Sequence, residues 1–204
     1  MNPSVRNIVF DWGGVLIDLD FEGCMTAFEE AGVTNIRQLV SVSKGSGIFS
    51  EYEQGLISTP QFRAKIRELA GIGFSDAEID RMWDSILLSI PEEKLRLLTE
   101  LSKRYHLFLL SNTNELHWLS ASERVFRLDG FDVKQCFEGI FLSFRMNLSK
   151  PDPEIFRRAM RDAGLIPEET LFVDDAEVNC RAAASTGMQV LHYVPDTDLG
   201  KLFD

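Results

Sequence analysis

Ile8-Val9-Phe10-Asp11-Trp12-Gly13-Gly14-Val15-Leu16 is a short apolar run stopped by an acid and then by two glycines. Continuous rather than alternating apolar residues read as a strand buried on both faces, the habit of a parallel sheet. The glycines read as the tight turn behind it. Four more runs share this form. Leu107-Phe108-Leu109-Leu110 ends at Ser111-Asn112, and Ile140-Phe141-Leu142 ends at Ser143. Leu171-Phe172-Val173 ends at Asp174-Asp175, and Val190-Leu191-His192-Tyr193-Val194 ends at Pro195-Asp196.

Helical patterns separate these runs. Residues 91–104 set Leu95, Leu98 and Leu101 on one stripe. Residues 152–163 open with Asp152 as a cap and Pro153 at the first helical position. They then space Ile155, Phe156, Ala159, Met160 and Ala163 on one face and close at Gly164. Residues 176–186 are alanine-rich and stop at Gly187. Strands alternating with helices imply right-handed βαβ units, so the expected fold is α/β with a doubly wound parallel sheet.

Residues 21–90 break that rhythm, because they hold only helix-like segments. Thr59-Pro60 opens one that carries Phe62, Ile66 and Leu69. Ser75-Asp76-Ala77-Glu78 is a capping box ahead of Ile79, Met82, Trp83, Ile86 and Leu87. The expected organisation is an α/β core of residues 1–20 and 91–204, interrupted after its first strand by an all-helical cap over residues 21–90.

Hydrophobic residues make up 45% and charged residues 26%, as in an ordinary globular protein. The apolar runs are too short to cross a bilayer, and no charged segment leads into a long apolar stretch at the N-terminus. Thirty-two acids against 21 bases give a formal net charge of −11, which repels nucleic-acid backbones and anionic membranes. Neither is an expected partner. Cys24, Cys136 and Cys180 are odd in number and far apart, which suits reduced thiols in a cytoplasmic protein.

In open α/β sheets, ligands bind beyond the carboxyl ends of the strands. Here those ends present Asp11, Ser111-Asn112 and Asp174-Asp175, with Lys150 just after another strand. Two or three carboxylates can hold a hard divalent cation. A lysine, a hydroxyl and backbone N–H groups can hold phosphate oxygens, and one carboxylate facing the phosphorus can attack it. Taken alone, each motif has a plainer reading as a turn or a helix cap. Adjacent acids such as Asp174-Asp175 resist that reading, since they repel one another unless a cation or donors sit nearby.

Phe10-Asp11-Trp12-Gly13-Gly14-Val15-Leu16 resembles the first motif of haloacid dehalogenase-like (HAD) hydrolases, a strand ending in D-x-D-G-[TV]-[LV]. Leu110-Ser111-Asn112-Thr113-Asn114 resembles their second motif and Lys150-Pro151-Asp152-Pro153 their third. Phe172-Val173-Asp174-Asp175 with Asn179 resembles the fourth. All four occur in the family's order. The resemblance implies a Rossmann-like core and magnesium as cofactor, with the insert as the small cap that closes over small soluble substrates. It implies Asp11 as nucleophile and metal ligand, with the Gly13 carbonyl and Asp175 as further ligands and Asp174 supporting the metal directly or from behind them. It also implies a phosphate site built from the Ser111 hydroxyl, the Asn112 N–H and Lys150.

There is one departure. The family's phosphatases carry a second aspartate two residues after the nucleophile, as general acid and base; here that position is Gly13. The pattern D-x-G-x-V, followed by Ile17-Asp18-Leu19-Asp20-Phe21, resembles a sub-group near bacterial sugar-phosphate phosphatases, including α-D-glucose-1-phosphatase-like proteins. Asp18, Asp20, Glu51, Glu53 and His117 are the candidate stand-ins for the missing acid. The leading expectation is a magnesium-dependent phosphatase of a small phosphorylated metabolite, a sugar phosphate. The alternatives are a metal-free 2-haloacid dehalogenase and a degenerate phospholigand binder. His106 and His192 read as structural, His117 as a helix-surface residue, and Phe49, Tyr52, Phe62 and Trp83 as cap core. Oligomeric state stays open between monomer and homodimer.

Overall fold

The computed structural model describes residues 3–42, 47–195 and 197–203, so Asp196 lies outside the described residues. The chain begins with β1 (Asn7–Phe10) and then forms five helices in succession. These are α1 (Phe21–Glu30), α2 (Ile36–Val42), α3 (Ile48–Glu53), α4 (Thr59–Ala70) and α5 (Asp76–Asp84). Next come α6 (Glu92–Leu101), β2 (His106–Ser111), α7 (Glu115–Val125) and a small hairpin of β3 (Arg127–Leu128) and β4 (Phe131–Asp132). The rest is β5 (Phe137–Leu142), α8 (Ser143–Met146), α9 (Pro153–Ala163), β6 (Thr170–Asp174), α10 (Glu177–Ala184) and β7 (Gln189–His192).

The main sheet has the order β5-β2-β1-β6-β7, and all its pairings are parallel. The apolar runs explain this: β1 and β6 are buried along their whole length, and β2 is buried from Leu107 onward. The last run departs from expectation. Its strand stops at His192 and alternates half-buried with exposed residues, because β7 is an edge with a neighbour on one side only. With β1 central and connections leaving to both sides, the crevice beyond its carboxyl end is where this topology opens a ligand site.

Helix ends follow the sequence signals. Asp152 accepts from Glu154 N at 2.9 Å, Pro153 follows it, and Gly164 closes α9 in a left-handed conformation. The expected capping box of Ser75 with Glu78 forms, and the structure adds another, Ser58 with Gln61.

The crossings into and out of the helical segment run side by side. Asp18 N donates to Ser89 O, Leu88 N to Asp18 O, and Asp20 N to Ile86 O. Around this ribbon an aromatic layer joins the helical segment to the sheet. Phe49 stacks on Trp83 with centroids 5.1 Å apart, and Trp83 stacks on His117 of α7 at 4.9 Å. No helix among the described residues is long and apolar enough to cross a membrane. All three cysteines are free.

Candidate active site

Strand ends bring the sequence-derived residues together. β1 delivers Asp11, β2 delivers Ser111 and β6 delivers Asp174. Asp11 Oδ1 accepts from Trp12 N at 2.7 Å and lies 2.8 Å from Lys150 Nζ, while Oδ2 makes no hydrogen bond among the described residues. One oxygen is therefore held and the other is available.

Lys150 is almost wholly buried and its ammonium bridges Asp11 and Asp174, the second contact at 2.7 Å. It does not directly follow a strand, because α8 and a turn separate it from β5. The Asn112 side chain holds it there, accepting from Lys150 N and donating to Lys150 O, both at 2.8 Å. This second job for Asn112 escaped the sequence reading, since bonds across 38 positions leave no local signature.

Asp174 is fully buried. Its carboxylate accepts from Lys150, from Ala176 N at 2.8 Å and from Asn179 Nδ2 at 3.0 Å. Asn179 therefore fixes an acid from behind. Asp175 is half-buried, and the Nε2 atom of the exposed His192 lies 2.8 Å from its backbone carbonyl. Ser111 is 1% exposed, and its hydroxyl has only a long 3.4 Å contact to the neighbouring Asn112 O, too weak to engage it.

One oxygen each from Asp11, Asp174 and Asp175 converge within 4.8 Å of one another. The turn that follows β1 is built for this crowding. Gly14 has φ +76°, and a Cβ there would lie 2.5 Å from Asp175 Oδ2. Among the described residues no backbone N–H donates to Gly13 O, which leaves that carbonyl, two residues beyond Asp11, free to serve as a ligand. Such an all-oxygen donor set, with more negative charge than Lys150 can balance, fits a hard divalent cation such as magnesium. Burial pushes the Asp11 carboxyl up to about 7; Lys150 opposes the rise and Asp174 adds to it. Burial works against the Lys150 ammonium, but Asp11 and Asp174 outweigh it and hold its pKa above the ordinary value.

A cavity of about 430 Å³ opens beside these groups, with Trp12 and Gly13, the residues that follow Asp11, in its lining. Ser111, Asn112 and Lys150 form its floor, and Ile17, Leu19, Phe49, Glu53, Trp83 and His117 form much of its walls. Trp12 and Trp83 also line it, and both indole N–H groups are buried without a hydrogen-bond partner among the described residues.

The proposed stand-ins separate cleanly. Asp18 is half exposed and lies 3.2 Å from Lys94, while Asp20 caps α1 by accepting from Gly23 N. Glu51 pairs with Lys65 at 2.6 Å. His117 is not on the surface as expected: it is buried, with Nε2 3.1 Å from Trp83 O and Nδ1 3.1 Å from Asn114 Nδ2. Glu53 alone of the five is an acid lining the cavity. His106 is exposed at the start of β2 and pairs with Glu138 at 2.5 Å.

The family model described as haloacid dehalogenase-like hydrolase matches residues 5–187. A D-ribitol-5-phosphate phosphatase of Bacteroides thetaiotaomicron is 33% identical over 91% of this chain and 90% of its own. A phosphorylated carbohydrates phosphatase of Thermotoga maritima is 26% identical over 92% of this chain and 84% of its own. Among solved structures, a HAD family enzyme of Bacteroides thetaiotaomicron in complex with magnesium and inorganic phosphate superposes with a TM-score of 0.93. It is 41% identical and covers 98% of this chain and 100% of that one. An L-2-haloacid dehalogenase shares the fold at 18% identity and a TM-score of 0.64, covering 94% and 85% of the two chains. The protein belongs to the haloacid dehalogenase-like hydrolase family.

Proposed function

We propose that the protein is a magnesium-dependent phosphatase of small phosphorylated carbohydrates, working through an aspartyl-phosphate on Asp11. The observation that carries this reading is the state of the Asp11 carboxylate. One oxygen is fixed by Trp12 N and Lys150, and the other makes no hydrogen bond among the described residues. An oriented carboxylate of this kind attacks phosphorus, and Lys150 neutralises the charge that accumulates as two anions approach. The Ser111 hydroxyl and the Asn112 N–H bind the transferring phosphoryl oxygens. Asp11, Asp175 and the Gly13 carbonyl would hold the magnesium ion. Asp174 sits behind them, its carboxylate committed to Lys150 and Asn179. When bound, the ion supplies positive charge that offsets the phosphate and the carboxylates.

The substrate class draws on two further supports. The relatives with extensive coverage act on D-ribitol 5-phosphate or phosphorylated carbohydrates. The cavity of about 430 Å³ beside Ser111, Asn112 and Lys150 is of a size for a small phosphorylated carbohydrate. The free thiols and the acidic surface suit a cytoplasmic enzyme. A metal-free dehalogenase has no need of a third carboxylate, Asp175, converging on Asp11 and Asp174 when Lys150 pairs with only those two. A degenerate binder has no use for so complete a set of reactive groups.

The test is a panel of sugar and polyol phosphates assayed with and without magnesium, beside Asp11→Asn. Turnover that needs both the metal and Asp11 supports the reading. A wild type inert on every phosphoester, or a variant of equal activity, sinks it.

A further inference from the structure

We propose that Glu53 is the general acid and base of this enzyme, delivering from helix α3 the proton that Gly13 has no side chain to carry. This rests on the phosphatase reading above. The loop after β1 carries no acid at Gly13, and a side chain there would press on its neighbour. A Cβ built on Gly13 meets Leu19 Cδ1 at 3.1 Å, and Leu19 is itself part of the cavity wall. The proton must come from another wall.

Glu53 is the one carboxylate among the residues lining the cavity, which it shares with Ser111 and Lys150. Its carboxyl makes no ion pair or hydrogen bond among the described residues, whereas Asp18, Asp20 and Glu51 are each committed elsewhere. His117, across the cavity, has both ring nitrogens engaged and is held neutral.

The position of Glu53 is secured by the core. Ser143 Oγ, at the start of α8, lies 2.5 Å from Glu53 O and 2.9 Å from both the N and the O of Thr113. Thr113 is two residues beyond Ser111. Asn147 Nδ2 donates to Gln54 O at 2.9 Å, and a Cβ on Gly55 would lie 2.1 Å from Phe144 O. The end of α3 is thus sutured to the loop that carries the phosphate site, and Glu53 stays over it.

Its surroundings suit a group that both gives and takes a proton. Burial pushes the Glu53 carboxyl up to about 7, and Lys150 opposes the rise. Arg145 on the abutting α8 is exposed and stacks over Phe144, and Lys65 on α4 is spent on Glu51. A carboxyl titrating near neutrality is matched to acid–base work.

In the first half-reaction an Asp11 oxygen forms a bond to phosphorus and the ester P–O bond breaks. Protonated Glu53 transfers its proton to the departing alkoxide oxygen, releasing the alcohol. In the second, the Glu53 carboxylate takes a proton from water as the water oxygen bonds to phosphorus. The aspartyl P–O bond then breaks, leaving inorganic phosphate, a free Asp11 carboxylate and protonated Glu53.

The experiment compares wild type, Glu53→Gln and Glu53→Asp with magnesium on a polyol phosphate and on p-nitrophenyl phosphate. The expected result for Glu53→Gln on the polyol phosphate is a fall in kcat of about 10²–10⁴-fold with little change in KM. On p-nitrophenyl phosphate, whose phenolate leaves without a proton, it gives a burst of about one nitrophenol per enzyme and then a slow steady state. Glu53→Asp retains an intermediate rate. Equal loss on both substrates without a burst, a change confined to KM, or wild-type rates in Glu53→Gln each overturn the proposal alone. A wild type that turns over neither substrate overturns the phosphatase reading as well.

Discussion

Three carboxylates, Asp11, Asp174 and Asp175, converge, and the ammonium group of Lys150 bridges the first two of them. Asp11, Ser111, Asp174 and Asp175 were legible in the sequence because strands end on them. The support that the Asn112 side chain gives was not, since an amide spanning distant backbone looks like any other asparagine; Asn179 was marked by the fourth motif, but its bond to Asp174 was not. His117 was misplaced for a related reason: a histidine on a helix gives no sign that an aromatic layer will cover it. Burial drops its pKa to about 4 from the usual 6.5, with the Trp83 carbonyl opposing. The unfolded chain therefore takes up a proton below about 6.5 that the folded protein refuses until about 4. Stability should be fully present above that window and fall by up to about 3 kcal/mol as the pH drops through it. Thermal melts of wild type and His117→Gln from pH 8 to 4 check this; parallel curves contradict it.

Turns and caps decide at the level of elements what the strands hold out. The β1 run, the acid behind it and the two glycines predict a strand and a tight turn, and that is what forms. The sequence does not tell why the second glycine is needed, because Asp175 arrives from a strand more than 150 residues away. Gly14→Ala puts a methyl group against that carboxylate at a positive φ. The expected outcome is a loss of about 1–2 kcal/mol in stability and a roughly 10–100-fold weaker magnesium affinity by calorimetric titration. Unchanged affinity contradicts the packing account. The α9 start at Lys150-Pro151-Asp152-Pro153 was readable from its cap and proline. The α8 turn ahead of it was not, since Ser143-Phe144-Arg145-Met146 is too short to show a period.

Across the whole molecule, the parallel sheet and the helical segment after β1 follow from continuous apolar runs and from their absence over residues 21–90. Which face of that segment closes the site was beyond a periodicity argument, because Phe49 and Trp83 serve both the aromatic layer and the cavity wall. The two layers meet over Asp11, and a covalent phosphoryl group on that residue is the claim on which every other role depends. The direct measurement is rapid acid quench of the wild type with magnesium and an excess of phosphorylated substrate, followed by mass spectrometry of its peptides. The account predicts phosphate on the peptide bearing Asp11, lost at alkaline pH as an acyl phosphate is, and absent from Asp11→Asn. Steady turnover with no phosphate on that peptide, or with the label on another residue, contradicts it.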